Sequence, residues 1–165
     1  MQSIEPEKIA ELEKKINCEF SDKDLLKRAL TRRSFAQENF QKSFQKEFLK
    51  CHQEVFCVLG DAIISATLCD LLIQNGIETK GDITKTKSSL ENQGMLAKIG
   101  RSINLHNYII ANSGEKSSGV VGGDKVIAET LEAIIAAVYY DKGFICAKEV
   151  VAFLFKDELE SNFSL

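Results

Sequence analysis

Residues 52–74 read HQEVFCVLGDAIISATLCDLLIQ, an almost unbroken apolar run. A buried strand uses about 4–8 residues, so a run of this length is expected to be a helix. A helix apolar on nearly every side must be enclosed by other helices. Residues 124–140, DKVIAETLEAIIAAVYY, repeat the pattern. With a single proline in the chain and apolar spacings of three and four elsewhere, the expected fold class is all-α, built around two buried helices.

The remaining elements follow from punctuation. Leu12, Ile16 and Phe20 lead into Ser21-Asp22, a helix start followed by Leu25, Leu26, Ala29 and Leu30, and a second short helix is expected from Thr31. Residues 37–50 are lysine-rich, and Phe40, Phe44 and Phe48 at four-residue steps favour a helix there over a loop; the segment is a lid or a packed connector. Asn75-Gly76 ends the first apolar helix. One helix is expected from Asp82 to near Asn104, a short apolar turn over residues 105–110, and a flexible glycine- and serine-rich loop over residues 112–123. Lys142-Gly143 should break the second apolar helix, leaving a final helix over residues 146–159.

The 165 residues, 44% hydrophobic and 27% charged, suit one globular domain over residues 1–165 that needs no disulfide or structural metal. Five scattered cysteines, none in a CxxC pair, argue against a disulfide framework or zinc site. No stretch of about 18 consecutive apolar residues occurs and the first residues are charged, so neither a membrane span nor a secretory leader is expected, and the cytoplasm is the expected location. The net charge of −3 is mildly repulsive toward phosphate, so any nucleic-acid binding must rest on a local basic patch.

The two apolar segments carry acids. Glu54 and Asp61 lie two turns apart on one face with Cys57 between them, and Glu129 and Glu132 share a face of the second segment. Such spacing also suits the solvated stripe of ordinary amphipathic helices, but the small neighbours Ala128, Ala133, Ala136 and Ala137 leave little room for a polar face and favour burial. If the two faces meet, four carboxylates converge. Lys125 and Lys80 are the local counter-cations the sequence offers, and a divalent ion is the fuller answer. Oxygen donors without histidine or a thiolate pair select Mg2+ or Mn2+, and the chemistry suggested is phosphoryl hydrolysis.

Five blocks in order carry a resemblance: LLKRALTRRSF at residues 25–35, EVFCVLGDA at 54–62, GDITKTKSSLENQGMLAKI at 81–99, SGEKSSG at 113–119 and KVIAETLEAIIAAVYYDKG at 125–143. Together they resemble the catalytic domain of the ribonuclease III family of double-stranded RNA endonucleases, from about residue 9 to residue 155. The resemblance implies the family's helical, dimer-forming fold and a site of metal-binding acids. It implies Asp61, Glu132 and Glu54 as catalytic residues, with Asp61, Glu129 and Glu132 on the metal. Two positions of the motif differ: Cys57 stands where the family has a ligand glutamate, a degenerate position, and Glu129 stands where it has aspartate. Lys80 replaces an acid often found before Gly-Asp, and Val58 falls where an aromatic residue normally enters the dimer interface, with Phe56 nearby.

By this resemblance the chain is a divalent-metal-dependent endoribonuclease acting on double-stranded or structured RNA, expected to stand alone without a separate duplex-RNA-binding domain. The Mini-ribonuclease III branch offers a parallel, keeping the equivalents of Asp61 and Glu132 without the other two acids. The alternative is a catalytically silent member retained as an RNA-binding or dimerisation module, which Cys57 and Lys80 favour. A homodimer is expected, with a heterodimer of two nuclease-domain chains as the other arrangement. RNA contacts are assigned to Arg32, Arg33, Lys85, Lys87 and Lys116, supported by Lys27, Arg28, Lys80 and Lys125. Binding should be weak and salt-dependent, led by duplex shape.

Overall fold

The computed structural model describes residues 4–39 and 50–163, and these form α-helices, short 3-10 turns and no strand. The elements are α1 (Pro6–Lys15), α2 (Lys23–Leu30), α3 (Arg33–Asn39), α4 (Glu54–Gln74), α5 (Lys80–Glu91), α6 (Gln93–Ser102), α7 (Ser113–Ser117), α8 (Asp124–Leu154) and α9 (Lys156–Phe163), with 3-10 turns at Leu105–Asn107 and Val120–Gly122. The phenylalanine pattern at 40, 44 and 48 lies outside the described residues.

Each start has a local cause. Pro6 opens α1, where its missing N–H costs nothing. Asp22 caps α2 by accepting from Asp24 N, and buried Asp141, reaching back from α8, accepts from the Ser21 and Asp22 amides at 2.8 and 2.9 Å. The single helix expected from Asp82 to Asn104 is two helices. Asn92 takes an extended backbone (φ −70°, ψ 156°), and its side chain accepts from Met95 N at 2.9 Å, capping α6 where α5 ends. The loop expected over residues 112–123 contains α7, capped by Asn112 in the same way. The break expected at Gly143 is a kink with φ 83° and ψ 177°, open to glycine alone, and α8 bends there and runs on to Leu154.

The centre of the fold is α8, which packs on α2, α4 and α6 and is buried without interruption from Ala133 to Val138. Its closest crossing is with α4 at Gly60, where a Cβ would lie 1.8 Å from the Glu132 carbonyl oxygen. Only glycine permits this approach, and it sets the Asp61 turn directly against the Glu132 turn. Gly100 does the same for α6, where a Cβ would sit 2.3 Å from Ile127 Cγ2.

The enclosure expected for the first apolar helix is incomplete. Ile63, Ile64, Leu68 and Leu72 of α4 are buried, but Val55, Val58 and Ile73 are 57%, 75% and 58% exposed. An open groove of about 620 Å³ runs along Glu54, Val55, Val58, Leu59, Ala62 and Tyr140. By length and composition α4 is also apolar enough to cross a membrane, contrary to the reading from consecutive apolar residues. Its buried face belongs to the common core, which is the setting of a core helix.

Candidate active site

Asp61 projects from α4 and Glu132 from α8 at the Gly60 crossing, and Glu129 lies one turn before Glu132. The half-buried Glu132 carboxyl is pushed up to about 7, first by burial and then by the charges of Asp61 and Glu129. Glu132 therefore feels two of the three other expected acids, and Asp61, expected from sequence to be buried, is exposed, because its side of α4 is the one that other helices leave uncovered. Glu54 takes another direction: it is exposed, and its two oxygens accept from Arg33 Nη1 at 3.1 and 3.2 Å.

Cys57 lies between the helices, but its thiol is turned to backbone. Sγ is 3.2 Å from Glu129 O and 3.4 Å from Gln53 O. Burial, with Glu132 and Glu129 nearby, pushes the thiol up to about 12, so at neutral pH it stays protonated and ties α4 to α8 as a weak donor. At the degenerate position there is no anionic ligand.

The Glu129 carboxylate is held by basic side chains. Its Oε2 accepts from Arg32 Nη1 at 2.8 Å, and its Oε1 lies 3.8 Å from Lys125 Nζ. Arg32 follows α2 directly, held by an isolated pairing in which Arg32 N donates to Ile110 O and Ile110 N to Leu30 O, both at 2.8 Å. Its second nitrogen, Nη2, reaches Glu115 Oε1 of α7 at 3.3 Å, and Ser34 Oγ donates to Glu115 Oε2 at 2.5 Å. With the Gln53 amide nitrogen facing Ala29 O at 2.8 Å and Thr130 Oγ1 at 3.2 Å, the Gln53 oxygen accepts from Arg32 Nη1 at 3.1 Å. Burial disfavours the guanidinium charge, and the Glu129 and Glu115 carboxylates more than offset it, so the arginine is held firmly cationic.

Asp61 also has a cation nearby. Lys87 of α5 feels its charge while bonding Ser65 Oγ at 2.9 Å and Glu91 Oε1 at 2.7 Å. Among the residues assigned to RNA, Arg32, Arg33 and Lys87 thus hold acids of the protein itself, whereas Lys85 and Lys116 are exposed. Of the counter-cations read from sequence, Lys125 reaches Glu129 only at 3.8 Å with its side chain 75% exposed, and Lys80 is exposed at the start of α5. Arg32, assigned to RNA from sequence, is mostly buried and holds Glu129 and Glu115 instead, and its partner Glu115 was missed. The signal for Glu115 was an acid in a loop read as flexible.

The donor chemistry fits a small hard cation. Asp61 and Glu132 offer carboxylate oxygens, and the repulsion carried by Glu132 is what a dication relieves. Among the described residues no three His, Cys, Asp or Glu side chains are gathered as a metal-holding group, so an ion on this pair would complete its shell with water, as Mg2+ commonly does.

With this helical crossing in place, the comparisons agree on one family. The profile of the Ribonuclease-III-like family matches residues 22–158. Ribonuclease 3 of Caldanaerobacter subterraneus subsp. tengcongensis is 33% identical over 150 residues, covering 90% of this chain and 63% of that protein. Ribonuclease 3 of Campylobacter jejuni is 33% identical over 156 residues, covering 94% of this chain and 62% of that protein. Two solved structures of the nuclease domain of Campylobacter jejuni ribonuclease III superpose with TM-scores of 0.78 and 0.76 at 32% and 31% identity, covering 95% and 100% of this chain and 99% of each solved chain. One of them concerns flexibility in that domain's region of dimer formation. The chain belongs to the ribonuclease III-like family and has the fold of its nuclease domain, and it spans somewhat under two thirds of the length of these relatives.

Proposed function

We propose that the protein is a divalent-metal-dependent endoribonuclease of duplex or structured RNA, with Asp61 and Glu132 as the residues that hold Mg2+ or Mn2+. The observation that carries this reading is the Glu132 carboxyl pushed up to about 7 beside Asp61 at a crossing only glycine allows. A half-buried Glu132 carboxyl that feels the charges of Asp61 and Glu129 carries a cost that binding of a dication relieves. When bound, such an ion polarises phosphate oxygens and activates water. Asp61 and Glu132 orient it, the Gly60 contact keeps their turns in register, and Glu54 is free to orient water only when Arg33 turns to phosphate.

Dimerisation through α4 is part of the proposal. Val55, Val58 and Tyr140 line an open apolar groove along α4. The aromatic residue considered from sequence, Phe56, is buried, stacking on Tyr140 at 5.2 Å with the Arg28 guanidinium 4.2 Å from its ring centre, so aliphatic Val58 leads the surface. Two copies would set two acid pairs along one duplex. Exposed Lys85 and Lys116, with Arg33, would meet phosphates. The five free cysteines favour a reducing compartment, in keeping with the cytoplasm.

A catalytically silent relative is the second reading, favoured by the backbone-bonded Cys57 thiol and by Glu129 being held by Arg32. The deciding test is incubation with long duplex RNA at low salt with Mg2+, Mn2+ or chelator, beside Asp61→Asn. Metal-dependent cutting lost in the variant supports the enzyme; RNA bound but left intact by both proteins supports the silent reading.

A further inference from the structure

The acids at the crossing divide into two groups with different partners. Glu129 has one oxygen 2.8 Å from Arg32 Nη1 and the other 3.8 Å from Lys125 Nζ, so both sides of its carboxylate face cations of the protein. Arg32 is built in: its side chain is 19% exposed, its other nitrogen holds Glu115 on α7, Glu115 is fastened by Ser34, and the Gln53 oxygen faces the guanidinium. Among the described residues no hydrogen bond or ion pair holds the Asp61 or Glu132 carboxylate, and Lys87, the cation near Asp61, is itself bonded to Ser65 and Glu91.

We infer that Arg32 is a positioning residue that holds Glu129 out of the metal shell, so that a divalent ion here is bound by Asp61 and Glu132 and water alone. The inference rests on the metal reading proposed above and deepens it. Its physical basis is competition for one carboxylate. Drawing Glu129 onto an ion would strip a mostly buried guanidinium of its shortest acid contact and leave it facing only Glu115 and the Gln53 amide, and a buried charge without its partner is strongly disfavoured. Glu129 and Glu115 then serve as a clasp joining α8 and α7 through one arginine, beside the metal pair and not in it.

The test is titration of the metal-free full chain with Mn2+ alone, read by loss of the free-ion EPR signal, with circular dichroism to confirm folding of each variant. Glu129→Gln should bind Mn2+ within about threefold of wild type, since it removes no ligand, whereas outer-shell or ligand losses typically cost about 10–100-fold. Arg32→Gln should bind about tenfold more tightly as Glu129 swings free to ligate, the double variant Arg32→Gln/Glu129→Gln should lose that gain, and Arg32→Lys should stay near wild type. A loss beyond about threefold in Glu129→Gln, or no gain in a folded Arg32→Gln, overturns the assignment. Should Arg32→Gln not fold, Glu129→Gln decides alone. Wild type showing no saturable binding that Asp61→Asn removes would sink the metal reading and this assignment together, whereas Asp61-dependent binding that also collapses in Glu129→Gln would sink the assignment only.

Discussion

Replacing Glu132 by glutamine should stabilise the metal-free protein, and only above mildly acidic pH. The Glu132 carboxyl titrates at about 7 in the fold against an ordinary 4.5, because burial and the charges of Asp61 and Glu129 disfavour its anion. At about 1.4 kcal/mol per pH unit, that displacement makes ionised Glu132 cost the fold roughly 2–3 kcal/mol, allowing for partial solvation. Below pH 4.5 the side chain is protonated both folded and unfolded and nothing is lost. Between 4.5 and 7 the folded chain keeps a proton that the unfolded chain releases, so stability falls as pH rises, and above 7 the loss is complete. Glutamine carries no charge at any pH. In chelator, urea or thermal unfolding of wild type and Glu132→Gln from pH 4.5 to 8.5 should show curves that coincide at the acid end. They should separate by roughly 2–3 kcal/mol at pH 8, or about 5–10 °C in Tm for a chain of this size. Mg2+ at a hundredfold excess over its Kd should return about 2.7 kcal/mol to wild type and nothing to the variant. A gap of equal size at pH 4.5 and pH 8, or a variant less stable than wild type at pH 8 in chelator, would refute the reasoning.

Three further outcomes follow from the geometry. Gly60→Ala places a methyl 1.8 Å from the Glu132 carbonyl and should cost about 3 kcal/mol or more, lowering Tm by roughly 6–12 °C; calorimetry showing an unchanged Tm would mean the crossing is looser than described. Cys57, protonated up to about 12 and turned to backbone, should stay unmodified by a thiol-disulfide reagent at pH 8 until the chain is unfolded, as peptide mass mapping would read; early labelling there contradicts the buried thiol. Val58→Asp puts a charge on a side chain 75% exposed in the monomer, so it should leave the fold intact and halve the mass seen by light scattering; an unchanged dimer would place the interface elsewhere.

The two central helices were readable from residue order. The apolar runs marked α4 and α8, and Asp61 and Glu132 stood out as acids within them, although α4 proved to have an open side on which Asp61 is exposed. Local spacing also located α2 and the Gly143 bend, but the Leu12, Ile16 and Phe20 spacing runs past α1, which ends at Lys15. It failed at Asn92, where an i, i+3 cap competes with a helical pattern that looks continuous on apolar spacing alone. It failed again at residues 112–123, whose short helix depends on the Asn112 cap and on Glu115 being held by Arg32 and Ser34.

What residue order determined by itself is where the two long apolar helices run and which acids they carry, because periodicity and charge are local properties of the chain. What only the tertiary structure decided is the pairing: α8, not α4, at the centre, Phe56 turned inward, Glu54 on Arg33, and Glu129 on Arg32 across 97 positions of sequence. These depend on how closely two helices cross and at what turn, and that distance is set at Gly60, where the missing side chain lets backbone meet backbone.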